Sequence, residues 1–238
     1  MHKSNPNQFD AYARDYMKEL DHPFRRIVDA GGGYFIQAKV RIIREFHQKY
    51  FSGDPSATIA DIGSGIGLFE KALAPFFKNI IGLDLSLEML KVASMTSEFD
   101  SQRFCQADAM HLPMPSDAAD IVFTSCVFHH IEPALYSWVL PEFLRVTRPG
   151  GLVMVFEHNP LNPLTQLVVR TTPLDNDANL LGMRAALRLL RGANADVLHT
   201  GYFLYGPKNI DSFLYKNINF LRRLPFGGQY YIIARKKC

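Results

Sequence analysis

The 238-residue chain is poor in several features that mark common protein classes. Its three cysteines, Cys105, Cys126 and Cys238, show no CxxC spacing, so neither a disulfide framework nor a zinc site is indicated, and we expect no metal. Cys105 and Cys126 fall in predicted strands, where a buried, reduced thiol is the default. No apolar run reaches the roughly eighteen residues that a membrane helix needs, and the N-terminus is too polar for a signal peptide. These features favour a soluble, cytoplasmic protein without a membrane span.

The chain also has little excess of positive over negative charge. The formal net charge of +3 gives no single-sign field of the kind that attracts nucleic acid. The C-terminal segment RRLPFGGQYYIIARKKC is locally basic, which we interpret as a solvated surface. With 47% apolar residues, the chain has enough apolar side chains for the core of one α/β domain. We therefore expect no nucleic-acid partner.

The most informative segment is TIADIGSGIGL, residues 58–68. An apolar run of strand length ends in Asp61 and breaks into Gly63, Gly65 and Gly67 before the helical pattern FEKALAPFF. Glycines let the backbone turn sharply and let a ligand lie against the main chain at a helix N-terminus. A tight strand-to-helix turn of any α/β protein can carry such glycines as well. The third glycine comes one residue too early for GxGxxG, and no GK[ST] follows, which excludes a P-loop.

Later segments extend this pattern. NIIGLD ends an apolar run at Asp84, where a carboxylate suits a ribose diol. DLSLEML then begins a helix with Ser86 as its predicted N-cap. RFCQADAMHLP ends a third run at Asp108, which suits an adenine amino group. DIVFTSCVFHH predicts a fourth strand that enters a polar loop, and RVTRPGGLVMVFEH predicts a helix end, a turn and a fifth strand.

Together these segments resemble the class I S-adenosylmethionine-dependent methyltransferases of the small-molecule type (types 11 and 12), over about residues 58–158. The resemblance implies an α/β fold: a Rossmann-like, doubly wound, mostly parallel seven-stranded sheet with the last strand antiparallel, N-terminal helices and a decorated C-terminal edge. It also implies S-adenosyl-L-methionine as cofactor and S-adenosyl-L-homocysteine as product. The implied activity is methyl transfer to an oxygen or nitrogen of a small-molecule acceptor, such as a sugar or a secondary metabolite.

The resemblance further implies a set of cofactor-binding residues. In it, Asp84 would hold the ribose hydroxyls, Asp108 would address the adenine edge and Ser125 would lie beside the sulfonium. The full implied set is Asp61, Gly63, Ser64, Gly65, Gly67, Asp84, Leu85, Met89, Asp108, Ala109, Met110, Ser125 and Tyr16.

Histidines end two of the predicted strands where the resembling family places its reaction centre. His130 follows the fourth strand and His158 ends the fifth, with His129 adjacent to the first of them. A histidine exchanges a proton near neutral pH, so His130 and His158 are candidate catalytic bases for a hydroxyl acceptor. A histidine after the fourth strand is also often structural. The resemblance suggests Asn159 and Asn162 as acceptor-binding residues.

The chain is predicted to form one domain, residues 1–238, in three parts. Residues 1–57 form a helical segment in which aromatic residues recur at helical spacing, and residues 58–158 form the cofactor-binding core. Residues 159–238 form the acceptor-side elaboration and the last two strands. Prolines and Asx residues in the connection 159–181 replace the expected regular helix, and this connection is predicted to line the acceptor pocket. The sequence does not indicate an oligomeric state.

Two other functions stay open at this point. One is a catalytically silent S-adenosylmethionine-binding partner or regulatory protein, which would keep the glycine turn and Asp84. The other is a nicotinamide-dependent oxidoreductase, for which Gly67 is misplaced and the ADAxxLP segment has no role.

Overall fold

The structure is a computed structural model that describes residues 6–13, 33–172, 175, 178–206, 208, 211, 213–214 and 219–237. The predicted cofactor contact Tyr16 lies outside these residues. The α-helices of the described part are α1 (Pro6–Tyr12), α2 (Tyr34–Phe51), α3 (Leu68–Leu73), α4 (Leu87–Thr96), α5 (Tyr136–Val146), α6 (Pro163–Thr171) and α7 (Met183–Gly192). The strands are β1 (Thr58–Ile62), β2 (Asn79–Asp84), β3 (Gln102–Gln106), β4 (Ala119–Ser125), β5 (Thr147–His158), β6 (Ala195–Phe203) and β7 (Gln229–Lys236). Short 3-10 turns lie at Phe128–His130, Pro133–Leu135 and Asn219–Arg223.

The strands form one seven-stranded sheet in the order β3-β2-β1-β4-β5-β7-β6. Strand β7 runs antiparallel to both of its neighbours, whereas the pairs between β1, β2, β3, β4 and β5 are parallel. The chain proceeds outward from β1 to β3 and then returns to β4 on the other side of β1. This reversal creates a crevice at the carboxyl ends of β1 and β4, where open α/β sheets bind ligands. The predicted mostly parallel sheet with an antiparallel last strand is confirmed.

Two apolar layers cover the sheet because successive strand residues point to opposite faces. In β1, Ile59 belongs to the layer that includes Ile43 of α2, and Ala60 belongs to the layer that includes Phe143 of α5. Both strand residues are fully buried. The helices thus hold the sheet from both sides, and they leave its carboxyl edge to the loops.

The start of α4 confirms the predicted cap. The Ser86 hydroxyl accepts a hydrogen bond from the Met89 backbone N–H at 3.2 Å and also pairs with Asp10 of α1. The side chain of Ser86 therefore satisfies an N–H that has no partner within the helix, and it links α4 to the N-terminal helix.

Three local expectations are wrong. Cys105 is exposed because β3 is an edge strand, and Cys126 is only half-buried. The predicted turn at residues 149–151 is part of β5, whose register against β4 shifts between Ala119 and Ile121. The connection 159–181 contains α6, since Asn162 caps that helix and proline follows at its first position. Among the described residues, no helix combines the length and the apolarity needed to cross a membrane.

Candidate active site

A cavity of about 380 Å³ opens at the carboxyl edge of the sheet. Its wall includes the ends of four parallel strands, β1, β2, β4 and β5, together with residues of α1, α2 and α6. This volume is in the range of small-molecule sites. One continuous space therefore meets both the glycine turn and the histidines that follow β4 and β5.

The glycine turn after β1 presents bare backbone to this cavity. Gly63, Gly65 and Gly67 all have positive φ, at 85°, 54° and 79°, a conformation that residues other than glycine rarely adopt. A Cβ on Gly63 would approach Val127 to 2.3 Å, whereas one on Gly65 would meet no atom within 4 Å. Gly65 thus faces open space, and a ligand can lie directly on its main chain.

Asp84 holds this turn in place. One carboxylate oxygen accepts the Gly65 N–H at 2.7 Å, and the other accepts the Ser86 N–H at 2.9 Å. Burial raises the pKa of Asp84, and the hydrogen bonds from Ser86 and Gly65 oppose that rise. The side chain also forms part of the cavity wall, so its remaining lone pairs are available to a ligand hydroxyl.

A buried pair of carboxyl groups, Asp61 and Glu70, lies behind the turn. The two residues are 1% and 0% exposed, and none of their carboxyl oxygens has a hydrogen-bond partner among the described residues. Burial raises the pKa of Glu70 to about 8. Burial, and then the neighbouring Glu70, raise the pKa of Asp61 well above its ordinary value. The pair therefore retains a proton near neutral pH.

A buried lysine reaches the end of β4 from α2. Lys39 is 4% exposed, and its Nζ donates to Ser125 Oγ at 2.7 Å and lies 3.5 Å from Cys126 Sγ. Cys126 has a left-handed backbone, with φ of 59°. Burial disfavours its thiolate, but the charges of His158 and Lys39 outweigh that effect and lower the pKa of Cys126 to about 6.

Glu157 of β5 organises the loop after β4. One of its oxygens accepts the Val127 and Phe128 N–H groups at 2.8 and 2.7 Å, and the other lies 2.9 Å from His129 Nδ1. The opposite ring nitrogen of His129 lies 3.4 Å from Asp175 Oδ1. Burial would lower the pKa of His129, but Glu157 and Asp175 outweigh it and raise that pKa to about 10.

The two histidines predicted as bases differ in their surroundings. Burial, followed by the charge of His129, lowers the pKa of His130 to about 3, so His130 accepts a proton poorly at neutral pH. Its ring stacks edge-on against Phe9 at 5.1 Å. His158 ends β5 on the cavity wall, 5.1 Å from the His129 ring, with Nδ1 3.5 Å from the Gln229 amide nitrogen. The lowered pKa of His130 therefore makes it a weak candidate for a proton acceptor.

Most predicted site residues lie on the cavity wall. These are Gly63, Ser64, Gly65, Asp84, Leu85, Met89, Asp108, Ala109, Met110, Ser125, His130, His158 and Asn162. Asp61 and Gly67 do not line it: Asp61 is buried beneath the turn, and Gly67 packs toward Ala93 and Phe104. We therefore expect direct cofactor contacts from the turn residues on the wall, and we expect Asp61 and Gly67 to support the turn from behind.

The structure gives the two predicted acceptor-binding asparagines structural roles. Asn159 is 1% exposed and absent from the cavity wall, and its Nδ2 donates to the carbonyls of Pro225 and Gly227 at 3.0 and 2.8 Å. Asn162 lines the cavity, but its Oδ1 accepts the Thr165 N–H at 3.0 Å and its Nδ2 donates to a backbone carbonyl at 2.7 Å. Both side chains hold the connection after β5 in place.

Sequence reasoning missed Lys39, Gln229 and Asp175, which all line the cavity. A lysine amid the apolar residues of one helix face was a usable signal, because lysine is almost never fully buried without a partner. Asp175 lies in an Asx-rich connection, and nothing in that pattern distinguishes it from its acidic neighbours.

Residues 60–155 match the methyltransferase domain family. The 2-methyl-6-phytyl-1,4-hydroquinone methyltransferase of Synechocystis sp. is 30% identical over 132 residues, which are 52% of this chain and 40% of that protein. The malonyl-acyl-carrier-protein O-methyltransferase of Hamiltonella defensa is 30% identical over 122 residues, which are 51% of this chain and 45% of that protein. The domain match and these relatives support the class I S-adenosylmethionine-dependent methyltransferase family for this chain.

A solved structure of the same fold covers nearly the whole methyltransferase chain. It is a methyltransferase of Thermotoga maritima described as a possible histamine N-methyltransferase, with 16% identity and a TM-score of 0.67 over 97% of this chain and 99% of that chain. The curated relatives above are longer, and this chain spans less than half of their length. The cofactor of this methyltransferase family is S-adenosylmethionine.

The residues present fit that cofactor. Space stands open over Gly65, where a Cβ would meet no atom. The Ser64 hydroxyl is buried without a hydrogen-bond partner among the described residues, and Ser64 lines the same wall. Asp84 presents a fixed carboxylate beside the turn, and the apolar Met89 and Met110 border the cavity further along. Donors, acceptors and apolar side chains thus share one cavity wall, as a ligand with an amino acid, a ribose and an adenine requires.

The Asp61–Glu70 pair predicts a pH-dependent stability. The pKa of Glu70 is about 8 in the fold and 4.5 as its ordinary value, so the folded chain keeps a proton that the unfolded chain loses. The contribution of Glu70 to the free energy of unfolding is fully present below about pH 4.5. It is lost as the pH rises toward about 8, by up to about 1.4 kcal/mol per pH unit. Thermal unfolding of Glu70→Gln should show a flatter dependence across this window. Glu132→Gln, at a half-exposed glutamate, is the control, and equal slopes for all three proteins would contradict the assignment.

The hydrogen bonds of Asn159 predict a structural role for its side chain. Asn159→Ala leaves the Pro225 and Gly227 carbonyls without their donor, so unfolding free energy should fall by about 1 to 3 kcal/mol. Affinity for S-adenosylhomocysteine should change by less than about twofold, which is a few tenths of a kcal/mol. Asn79→Ala, which removes one exposed hydrogen bond, should cost less stability. An Asn159→Ala protein of full stability that has lost acceptor binding would restore the prediction made from the sequence.

Proposed function

We propose that this methyltransferase transfers the methyl group of S-adenosylmethionine to an oxygen or nitrogen of a small-molecule acceptor. The observation that carries the proposal is the shared cavity: its wall contains the glycine turn and Asp84 at one end, and Ser125 and His158 at the other. A ligand at the turn and a second ligand at the histidines would therefore meet in one cavity. The acceptor is held by apolar walls and a few polar groups, as in small-molecule sites.

We assign the cofactor to the turn end of the cavity. The Gly65 main chain would support the methionine part, and Asp84 would accept hydrogen bonds from the ribose hydroxyls. Asp108 is held by the Met110 N–H, which donates to its Oδ1 at 2.9 Å, so its carboxylate is oriented before adenine arrives. When bound, S-adenosylmethionine supplies a methyl group already activated by a sulfonium.

The protein's remaining tasks are alignment of the acceptor, exclusion of water and removal of a proton. Phe9 and Phe35 place apolar surface on the cavity wall, which excludes water from the reacting atoms. Ser125, held by Lys39, lies at the end of β4 where the sulfonium is expected. A hydroxyl acceptor loses its proton as it attacks, and His158 is our candidate to receive that proton at an imidazole nitrogen. His130 is the second candidate, although its lowered pKa makes it a weaker base.

The relatives differ in their acceptors, and none of these acceptors is assigned to this chain. One is an O-methyltransferase of a malonyl-acyl-carrier-protein, another is a hydroquinone methyltransferase, and the Thermotoga protein is described as a possible N-methyltransferase. Because this chain covers less than half of its curated relatives, we take from them the chemistry of the cofactor alone. A cytoplasmic location, a single domain and the absence of a nucleic-acid partner remain predictions from the sequence.

Gly65 offers a test of the cofactor assignment. In Gly65→Asn, asparagine tolerates the left-handed backbone, but its side chain fills the space over the turn. S-adenosylhomocysteine affinity should therefore fall at least tenfold, which is about 1.4 kcal/mol. Gly150→Asn is the matched control, since Gly150 also has positive φ and open space at its Cβ but does not line the cavity. Calorimetric titration measures both. Equal affinities would mean that the turn does not hold the cofactor.

Turnover tests the function itself. The chain is incubated with S-adenosylmethionine carrying a labelled methyl group and with panels of small hydroxyl and amine acceptors, and the labelled products are identified. With the acceptor found, His158→Gln should lower kcat at least tenfold while S-adenosylhomocysteine affinity stays within about twofold. His111→Gln, at an exposed histidine outside the cavity, should change neither quantity.

One result would count against this function, and another would count against the role of His158. Tight S-adenosylhomocysteine binding without transfer to any acceptor class would favour a catalytically silent binding partner. Unchanged turnover in His158→Gln would remove that residue from the mechanism and leave the proton to solvent or to another group.

A further inference from the structure

We propose that His129, His158 and Asp175 form a binding site for a divalent transition-metal ion on the acceptor side of the cavity. Their candidate ligand atoms, two ring nitrogens and a carboxylate oxygen, all lie within 4.8 Å of one another. The three residues come from the loop after β4, the end of β5 and the connection after α6. All three line the cavity, so an ion held by them would remain accessible to a small molecule.

His129 has the arrangement of a metal-binding histidine. Its Nδ1 lies 2.9 Å from a Glu157 oxygen, and the other Glu157 oxygen is held by the N–H groups of Val127 and Phe128. Metal-bound histidines commonly donate the second ring N–H to a carboxylate, which fixes the ring and directs the other nitrogen at the ion. His129 is 2% exposed, and its Nε2 has no hydrogen-bond partner among the described residues. This buried nitrogen points toward Asp175.

The separations fit a small ion. The distance from His129 Nε2 to Asp175 Oδ1 is 3.4 Å, too long for a good hydrogen bond. Ligands about 2.0 to 2.1 Å from a tetrahedral ion are about 3.3 to 3.4 Å apart. His158 is half-exposed and would complete the set by a small side-chain movement. Three protein ligands leave a fourth position open to the cavity, which is the pattern of catalytic rather than structural metal sites.

Neighbouring groups support a cation at this point. Two carboxylates, Glu157 and Asp175, flank the His129 ring, and the nearby Lys39 directs its charge to Ser125 and Cys126. Gln229 lies beside His158, and its Oε1 has no hydrogen-bond partner among the described residues. A half-turn of that amide would let Oε1 accept the Nδ1–H of His158, which leaves the other ring nitrogen as a ligand.

The ligand set indicates the class of ion. Two imidazoles and one carboxylate suit Zn²⁺, Co²⁺ or Fe²⁺, whereas Mg²⁺ prefers oxygen ligands. The ion site does not depend on methyl transfer, but its use rests on the proposed function: an acceptor hydroxyl at the open position would bind the ion and release its proton to water more easily. In the loaded enzyme His158 would then serve as a ligand, and the ion would take over the activation of the hydroxyl.

Direct metal binding tests the site without cofactor or acceptor. The full chain, with Cys105, Cys126 and Cys238 replaced by serine to remove competing thiols, is stripped with chelator and titrated with Co²⁺, whose visible absorption reports its ligand geometry. One equivalent should bind, Zn²⁺ should displace it and excess Mg²⁺ should not. Asp175→Asn and His129→Gln should each weaken Co²⁺ binding at least tenfold, and His111→Gln, at an exposed histidine away from the cluster, should leave it unchanged.

Folding and cofactor binding are measured on the same proteins. Each variant should unfold cooperatively and bind S-adenosylhomocysteine within about twofold of the parent chain, so that a loss of metal reports the ligands themselves. Asp175→Asn changes a half-buried loop residue and keeps the test valid if the buried His129→Gln variant fails to fold. Absence of stoichiometric Co²⁺ binding, or equal binding by the parent chain and Asp175→Asn, would overturn the proposal while leaving methyl transfer untouched.

Discussion

The buried carboxylate of Glu157 is the constraint on which the acceptor side depends. It lies at the carboxyl end of β5 and is 0% exposed, and it accepts two backbone N–H groups from the loop after β4 while it pairs with His129. Burial alone would raise the pKa of Glu157, but His129 and these hydrogen bonds lower it. An ionised group at this depth is stable only with all of these partners. Because the Glu157 carboxylate needs these hydrogen bonds, it fixes the position of the loop after β4.

On the cofactor side, Asp84 holds a loop in place by hydrogen bonds, as Glu157 does on the acceptor side. Asp84 is the last residue of β2 and Glu157 the penultimate residue of β5, and each carboxylate accepts a backbone N–H from the loop that follows the neighbouring strand, β1 for Asp84 and β4 for Glu157. The parallel sheet makes this device possible because its strand ends, and hence their loops, meet at one edge. These hydrogen bonds fix two adjacent loops of one cavity, which suits a reaction that needs two ligands closely aligned.

Titratable groups lie in and behind this cavity where burial makes charge costly. Asp61 and Glu70 are buried behind the glycine turn, Lys39 is buried against β4, and Cys126 combines a lowered pKa with a left-handed backbone. Unusual backbone conformations and shifted pKa values tend to gather at functional sites, where the surrounding fold supports them. Here the two apolar layers around the sheet provide that support.

The sequence by itself determined the parts of this protein that depend on neighbouring residues. The glycine turn, Asp84 at the end of β2 and the Ser86 cap follow from short motifs, because a turn, a cap or a strand end is decided within a few residues. The antiparallel last strand came from the family resemblance rather than from any such motif.

Only the tertiary structure decided which distant side chains meet. Lys39 reaches Ser125 across 86 positions of the chain, and Asp175 approaches His129 from a connection whose composition suggested an irregular loop, although it contains α6. The same structure turned Asn159 from an acceptor contact into a structural residue, since its amide found backbone carbonyls 66 and 68 positions away. Spacing along the chain carries no information on such pairs, because their distance is set by how helices and loops pack over the sheet edge and by the need of each buried polar group for a partner.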